Sequence, residues 1–329
     1  MDIKSIKEYL GQDWILLQTR IGDALQSDIE LLNVTNTAIL SHSGKQLRPL
    51  LALIFARACS GGHVNDASIR YAASAELLHN ATLLHDDVAD DSDQRRGVPT
   101  IRSLMGPSVS VLVGDYWLVK AMEEILGSGQ DSSRVIRIFA KTLSDLAEGE
   151  MLQLQKAQAG DTDLKDYLRI IYCKTASLFE ASCVSAAISV NASEVFEQAA
   201  RKYSVALGNA FQIKDDMLDY AGTASVGKPL GVDILEQKIT MPLLGAFANV
   251  SADEQARVRG LVKDIVSHPE YRDDIVSFVK SNGGLEAARK ELDRYVAEAV
   301  SALEPLPDSF EKTCLVDLAY FTAKRIMEG

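Results

Sequence analysis

Two aspartate-rich segments carry the residue types in this chain that are best suited to chemistry. Each reads Asp-Asp-x-x-Asp, and the six carboxylates are those of Asp86, Asp87, Asp90, Asp215, Asp216 and Asp219. Because residues i and i+4 of an α-helix lie on one face, the first and last carboxylates of each motif point the same way. Carboxylates brought together repel one another unless cations neutralise them. Oxygen ligands suit Mg²⁺, which usually shares its shell with substrate phosphates, so the pattern predicts a metal-dependent diphosphate site.

Basic residues follow the first motif directly. Arg95 and Arg96 come just after the aspartates, and guanidinium groups bind phosphate oxygens in bidentate fashion. A single acidic run with a basic turn behind it is more often a solvated helix end. Two identical motifs, each preceded by an apolar helical segment, favour the functional interpretation.

Helices must position these motifs, because the hydrophobic pattern has helical periodicity and convincing period-2 strands are absent. The predicted helices cover residues 49–59, 66–90, 109–126, 132–158, 164–190, 193–220 and 309–327, and residues 251–254 have the pattern of a capping box. Each aspartate motif is expected near the C-terminal end of its helix. No Ser/Gly-rich linker divides the chain. We therefore predict an all-α, single-domain helical bundle over residues 1–329, with helices around a central cavity.

Composition and charge exclude several classes of protein. The chain is 47% hydrophobic and carries a formal net charge of −12, which argues against a nucleic-acid partner. The four cysteines are scattered, which argues against a disulfide framework and favours a reducing cytoplasm. No signal peptide is apparent, and the longest apolar run, residues 50–56, is far shorter than the ~20 residues of a membrane helix. These properties predict a cytoplasmic protein without a transmembrane segment.

The residues around both motifs resemble those of the trans-type isoprenyl diphosphate synthases. The matching segments are residues 79–87, 95–97 and 211–219, the Gly-Lys-x-x-Arg-Pro segment at 44–49, the Lys-Thr pair at 174–175, and residues 227–238. They follow the order found in that family. The resemblance implies the type I isoprenoid synthase fold, and it is strongest to medium- and long-chain, octaprenyl-type synthases.

The resemblance also implies a reaction and its participants. Such an enzyme is a Mg²⁺-dependent prenyltransferase that condenses isopentenyl diphosphate head to tail (1′-4) onto an allylic diphosphate and releases diphosphate. The allylic substrate would be dimethylallyl, geranyl or farnesyl diphosphate. A homodimer, and three Mg²⁺ ions in each active site, are expected.

Each matching residue receives a role from the same resemblance. The six motif aspartates would bind the Mg²⁺ ions. Arg95, Lys174, Lys228 and Lys238 would contact the allylic diphosphate, and Lys45, Arg48, His79 and Arg96 would hold isopentenyl diphosphate. Thr175 and Gln212 would present dipoles to the developing carbocation. Taken singly, the basic residues would be interpreted as ordinary surface or core residues, and only their joint match assigns them a function.

The chain departs from the family pattern beside several of these residues. Gln46 replaces a frequent basic residue, and Gln237 precedes Lys238 where Gly is common. Neither departure removes a motif aspartate, so the predicted reaction is unaffected.

Small residues on the helix of the first motif bear on product length. Thr82 lies one turn, or ~6 Å, before Asp86, and Ala81 lies one residue further. In the family, aromatic residues at these positions keep products short, so a product beyond fifteen carbons is expected. Leu78 lies deeper on the same helix, and Trp117 is either the floor of the product tunnel or an ordinary core residue. A geranylgeranyl or farnesyl diphosphate synthase is the alternative.

Three other classes of protein remain to be weighed. A terpene cyclase typically carries one Asp-rich motif and a second motif of another type. A non-catalytic regulatory subunit of a heteromeric synthase usually loses motif aspartates, whereas this chain keeps all six. A plain cation-binding helical protein would not need the basic residues.

Overall fold

α-Helices account for nearly all the regular structure in the computed structural model, which describes residues 2–95, 97–129, 132–221 and 231–324. In chain order the elements are α1 (Ile3–Leu10), α2 (Gln12–Ala24), α3 (Glu30–Leu40), α4 (Leu47–Ser60), α5 (Asp66–Ala89), β1 (Gln94–Arg95), β2 (Val98–Pro99), α6 (Ile101–Met105), α7 (Pro107–Leu126), α8 (Ser132–Ala159), α9 (Leu164–Ile171), a π-helix (Tyr172–Ala176), α10 (Ser177–Ser189), α11 (Glu194–Ala221), α12 (Val232–Leu235), α13 (Met241–Phe247), α14 (Ala252–Asp264), α15 (Tyr271–Ser281), α16 (Gly284–Ala302) and α17 (Phe310–Lys324). The predicted all-α class is confirmed. Arg96 and Lys228, two predicted substrate-binding residues, lie outside the described residues.

Most predicted helices agree with the structure to within two residues at each end, and Ser251 caps α14 by accepting a hydrogen bond from the Glu254 N–H at 3.3 Å. Two differences matter. The predicted helix over 164–190 was wrong as a single element, because the π-helix interrupts it. Strands β1 and β2, of two residues each, form an antiparallel pair directly after the first aspartate motif. This pair is too short to produce a period-2 pattern in the sequence.

The chain folds into two compact units, each assembled from separate stretches of sequence. The first unit comprises Met1–Ala140, Glu180–Arg201 and Pro305–Leu315, and the second comprises Lys141–Phe179, Lys202–Glu304 and Val316–Gly329. Asp86, Asp87 and Asp90 belong to the first unit, and the second motif belongs to the second unit. No helix within the described residues is long and apolar enough to span a bilayer.

Helix α5 lies at the centre of the first unit, since its side chains from Ala67 to Ala81 are almost all buried. A helix that is buried on all sides is a core helix. Small residues bring α7 close to it. The Ser110 hydroxyl donates to the Leu84 carbonyl at 2.8 Å, and a Cβ at Gly114 would lie 2.4 Å from His85 Nε2. This close packing fixes the end of α5 that carries the first motif.

The π-helix is the distinctive element of the second unit. Gly149 of α8 packs against it so closely that an added Cβ would lie 2.5 Å from the Cys173 Cβ. Gly208 of α11 does the same on another side, where an added Cβ would lie 2.5 Å from the Ala176 Cα. Two helices therefore hold this segment through glycines at the points of contact. π-Helical turns are rare and occur frequently at functional sites.

Candidate active site

The first motif occupies the last turn of α5 and its C-cap. Asp86 is half-buried, Asp87 is 5% exposed, and Asp90 is the exposed C-cap residue. The C-terminal end of a helix carries a partial negative charge, so carboxylates there are unfavourably placed. A bound cation would offset this cost, which makes the location suited to metal binding rather than to stability.

Asp87 and Arg95 are brought together by the turn between α5 and β1, where the Ser92 N–H donates to the Asp87 carbonyl at 2.9 Å. Arg95 Nε donates to Asp87 Oδ1 at 2.9 Å, and the Arg95 side chain keeps 37% of its surface exposed. Burial raises the pKa of the Asp87 carboxyl, although the charge of Arg95 opposes the shift. This bond uses one of the five guanidinium N–H groups, and the exposed remainder suits a phosphate ligand.

The second motif lies in the last two turns of α11, and its second aspartate is again the buried one. Asp215 is exposed, Asp216 is 3% exposed, and Asp219 is half-buried. Tyr167 Oη donates to Asp216 Oδ2 at 2.6 Å, and Gln212 Nε2 donates to Asp216 Oδ1 at 2.9 Å. The second aspartate of each motif is thus buried and hydrogen-bonded. Asp87 has a charged partner, Arg95, whereas the partners of Asp216 are neutral.

The ionisation of this buried cluster follows from its environment. Burial raises the pKa of Asp216 well above its usual range, and the negative charge of Asp233 adds to the shift. Burial also raises the pKa of Tyr167 well above its usual value, so the phenol stays protonated and donates its hydrogen bond. A cation bound to the motif would favour the charged form of the carboxyl.

Asp219 connects the second motif to the segment that carries Lys238. Its two carboxylate oxygens accept hydrogen bonds from the backbone N–H groups of Val232 at 3.0 Å and Asp233 at 3.1 Å. Lys238 follows α12 and forms an ion pair with Glu236, while its Nζ lies 3.9 Å from Asp233 Oδ1. Its charge is therefore held among carboxylates, where a phosphate would compete for it.

Lys174 and Thr175 are both presented by the π-helix. Lys174 Nζ lies 2.6 Å from Glu150 Oε1 of α8, and the side chain is 30% exposed. The Thr175 hydroxyl donates to Gln212 Oε1 at 2.6 Å. Three residues predicted from different parts of the sequence, Thr175, Gln212 and Asp216, are therefore connected by hydrogen bonds.

The residues expected to hold isopentenyl diphosphate lie in the first unit. Lys45 is exposed in the turn before α4, Arg48 is half-buried in the first turn of α4, and His79 is half-buried on α5. Gln46, at the N-cap of α4, has a left-handed backbone with φ of 51°. This tight entry places Lys45 and Arg48 at the N-terminal end of the helix, where the macrodipole favours anions.

The small residues expected to control product length line the buried part of α5. Ala81 and Leu78 are at most 1% exposed, and the Thr82 hydroxyl donates to the His79 carbonyl at 2.8 Å. Trp117 is fully buried on α7, and its indole N–H donates to Asn36 Oδ1 at 2.7 Å. The indole is thus held in the core. This burial is required whether Trp117 is the floor of the product tunnel or an ordinary core residue.

The donor set fits Mg²⁺, although within the described residues no three His, Cys, Asp or Glu side chains form a ready-made metal cage. Mg²⁺ is usually bound through one or two carboxylates together with waters and substrate phosphates. The exposed carboxylates of Asp90 and Asp215 match that mode of binding. Asp86 lies one helical turn from Asp90, and Asp219 lies one turn from Asp215, so each motif has a second, half-buried carboxylate close to the exposed one.

Sequence reasoning missed four residues that shape this site. Tyr167 donates a hydrogen bond to Asp216, and Glu150 forms an ion pair with Lys174. Gly149 and Gly208 allow their helices to pack closely against the π-helix. The two glycines could have been identified from the sequence, because isolated glycines inside predicted helices indicate close packing. Tyr167 and Glu150 could not have been identified in this way, since each has the residue type expected at its position in an amphipathic helix.

Comparison with known proteins agrees with this geometry. The sequence profile of the family described as Polyprenyl synthetase matches residues 29–279. The octaprenyl diphosphate synthase of Escherichia coli K12 is 34% identical over 326 residues, covering 99% of both chains. A crystal structure of a decaprenyl diphosphate synthase from Rhodobacter capsulatus has a TM-score of 0.90 at 36% identity and covers 99% of this chain and 100% of its own. A polyprenyl synthase from Caulobacter crescentus CB15, complexed with calcium and isoprenyl diphosphate, has a TM-score of 0.88 at 32% identity, with 98% of each chain covered. This chain therefore belongs to the polyprenyl synthetase family of prenyltransferases.

Proposed function

We propose that this prenyltransferase condenses isopentenyl diphosphate head to tail onto an allylic diphosphate and releases diphosphate. The observation that carries the proposal is the arrangement of the second unit, where Thr175, the neighbour of Lys174 in the π-helix, donates to Gln212, which in turn donates to Asp216 of the second motif. A cation, hydrogen-bond dipoles and exposed carboxylates are the groups that the departure of a diphosphate needs.

The roles of the residues follow from their chemistry. The exposed and half-buried motif aspartates, Asp86, Asp90, Asp215 and Asp219, would bind Mg²⁺, and Asp87 and Asp216 would support them from inside. Bound Mg²⁺ would neutralise the charge that develops on the leaving diphosphate; three ions in each site is our expectation. Arg95, Lys174, Lys228 and Lys238 would hold the allylic diphosphate, while Lys45, Arg48, His79 and Arg96 would hold isopentenyl diphosphate.

Thr175 and Gln212 would face the developing allylic cation with the oxygen ends of their dipoles. Thr175 adjoins Lys174 in the π-helix, and Gln212 of α11 accepts a hydrogen bond from Thr175, so the group that binds the leaving diphosphate is close in sequence to one of the groups that stabilise the cation. The released diphosphate is the base expected to take the final proton. Water has to be excluded while the cation exists, since it would otherwise be trapped as an alcohol.

The assay that tests this function uses purified protein, labelled isopentenyl diphosphate and farnesyl diphosphate, with products sized by chromatography. We expect incorporation with Mg²⁺ and none after the metal is removed with EDTA, with activity restored when Mg²⁺ is added back. No incorporation with dimethylallyl, geranyl or farnesyl diphosphate would contradict the proposal. A cyclic hydrocarbon formed without isopentenyl diphosphate would indicate a terpene cyclase, and activity gained only with a second protein would indicate a subunit of a heteromeric synthase.

We further propose a medium- or long-chain product, in line with the octaprenyl and decaprenyl enzymes to which the chain is similar. Ala81 and Thr82 support this, since their small side chains leave the wall beside Asp86 open to a growing chain. A geranylgeranyl or farnesyl product is the competing outcome.

Replacing Ala81 with Phe is expected to shorten the product by at least one isoprene unit, because the ring would fill space that Ala81 leaves at a buried position of α5. The product distributions of Ala81→Phe, Ala81→Ser and the unchanged protein are compared by chromatography. The serine variant is the size control and should retain the original product. An unchanged product from a folded Ala81→Phe protein would contradict the assignment of this wall.

A homodimer in the cytoplasm is the proposed working form. Leu112, Val119 and Leu126 of α7 recur every seven residues and are each more than half exposed, as a helix that pairs with another copy would require. The four cysteines are free, as in a reducing compartment. Sedimentation equilibrium measures the mass in solution, and a monomer at assay concentrations would contradict the dimer.

A further inference from the structure

Tyr167, Asp216, Gln212 and Thr175 form a continuous chain of three hydrogen bonds in the second unit. The phenol of Tyr167 donates to Asp216 Oδ2 at 2.6 Å, Gln212 Nε2 donates to Asp216 Oδ1 at 2.9 Å, and Thr175 Oγ1 donates to Gln212 Oε1 at 2.6 Å. Tyr167, Asp216 and Thr175 are 2%, 3% and 6% exposed. Water therefore has little access to replace a missing partner.

The donors and acceptors fix the direction of this chain. In the charged form that a bound cation favours, the Asp216 carboxylate only accepts hydrogen bonds, so the Gln212 amide turns its NH₂ group towards Asp216 and its carbonyl towards Thr175. That carbonyl also only accepts, so the Thr175 proton must point at Gln212. The lone pairs of Thr175 Oγ1 are then directed away from Gln212. The buried carboxylate thus determines which end of each dipole is available to a cation.

Tyr167 holds the carboxylate that sets this direction. It binds the oxygen of Asp216 that Gln212 does not, so the two donors together prevent the carboxylate from rotating about its Cβ–Cγ bond. Tyr167 lies on α9, one turn before the π-helix that presents Thr175, whereas Asp216 and Gln212 lie on α11. The phenol therefore ties the two elements together at the carboxylate.

We propose that Tyr167 is a positioning residue for the reaction: through Asp216 it fixes the amide of Gln212 and, through that amide, the hydroxyl of Thr175. The inference rests on the proposed function, because it assumes that Thr175 and Gln212 face the allylic cation. Tyr167 itself contacts neither substrate nor metal. Its effect is expected in the ionisation step and not in the binding of isopentenyl diphosphate.

The first test replaces Tyr167 with Phe, which removes only the phenolic oxygen. The kcat is expected to fall about 10-fold, the loss typical of one hydrogen bond to a charged group, while KM for isopentenyl diphosphate stays within twofold. Tyr203→Phe removes the same atom from a fully buried tyrosine of α11 and should change kcat less than twofold. A change confined to KM, or an equal loss in both variants, would overturn the proposal.

The second test is a double-mutant cycle with Thr175→Val, which removes the hydroxyl at the far end of the chain. If Tyr167 acts through Thr175, Tyr167→Phe should cost less than threefold in the Thr175→Val background. The same 10-fold loss in both backgrounds would show that the two residues act independently. Wild-type protein that fails to incorporate isopentenyl diphosphate would instead defeat the proposed function.

A third variant keeps the test decisive if Tyr167→Phe does not fold. p-Aminophenylalanine at position 167 retains a hydrogen-bond donor of similar shape. We expect its kcat to lie within threefold of the wild-type value, with the thermal unfolding midpoint measured alongside. A folded protein with this side chain that loses 10-fold or more would contradict a positioning role.

Discussion

Asp215→Asn is expected to reduce the rate of isopentenyl diphosphate incorporation by about 1,000-fold while the fold stays intact. Asp215 is the exposed first carboxylate of the second motif, and the amide is almost the same size but cannot replace the charge. Stability should be unchanged or slightly higher, since a carboxylate in the last turns of a helix opposes the macrodipole. Initial rates over a range of Mg²⁺ concentrations, with thermal unfolding of the same samples, measure both effects.

Asp264→Asn is the matched control for this variant. Asp264 is an exposed aspartate at the last position of α14 in the second unit, so it shares exposure and location on a helix but lies outside both motifs. Its replacement should leave the rate within twofold. An Asp215→Asn protein that keeps more than a tenth of the wild-type rate at saturating Mg²⁺ would rule out Asp215 as an essential ligand.

Gly208→Ala is expected to lower the free energy of unfolding by ~1–3 kcal/mol and to reduce the rate about 100-fold. The new Cβ would lie 2.5 Å from the Cα and 2.8 Å from the Cβ of Ala176, so the main chain of the π-helix has to move. Because Lys174 and Thr175 belong to that segment, their displacement would disturb the site directly. Urea unfolding and steady-state kinetics measure the two losses.

The control is Gly260→Ala on α14, where an added Cβ meets nothing within 4 Å. This substitution should stabilise the helix by up to ~1 kcal/mol, because Ala has the higher helix propensity. The contrast separates close packing from helix propensity. Equal stability changes in the two variants would show that the contact with Ala176 is not a constraint.

The sequence was sufficient to predict elements whose cause is local. The ends of α5 and α11 follow from periodicity and from their flanking polar residues, and Ser251 caps α14 as its side chain suggests. The π-helix could not be predicted in this way. Its cause is tertiary, since Gly149 and Gly208 approach it from two other helices, and its own five residues have nothing unusual in their composition.

The candidate site shows the same division between local and tertiary causes. The aspartates and Lys174 are recognisable by type and spacing, whereas Tyr167 binds a carboxylate 49 residues away and resembles any buried tyrosine in the sequence. Gln237 illustrates a departure that the structure explains. Its φ of 59° lies in the left-handed region, which Gly adopts without steric cost. The glycine that is common at this position therefore reflects the backbone conformation and not a contact with substrate.

The reactivity of Cys173 can report how often the π-helix opens. The thiol is 3% exposed, and burial raises its pKa, so very little of the reactive thiolate is present while the segment is closed. Its Cβ faces Gly149, and its sequence neighbour is Lys174. Alkylation of Cys173 would proceed only when this turn separates from α8. The time course of that alkylation therefore measures how often the protein opens the segment that holds Lys174 and Thr175.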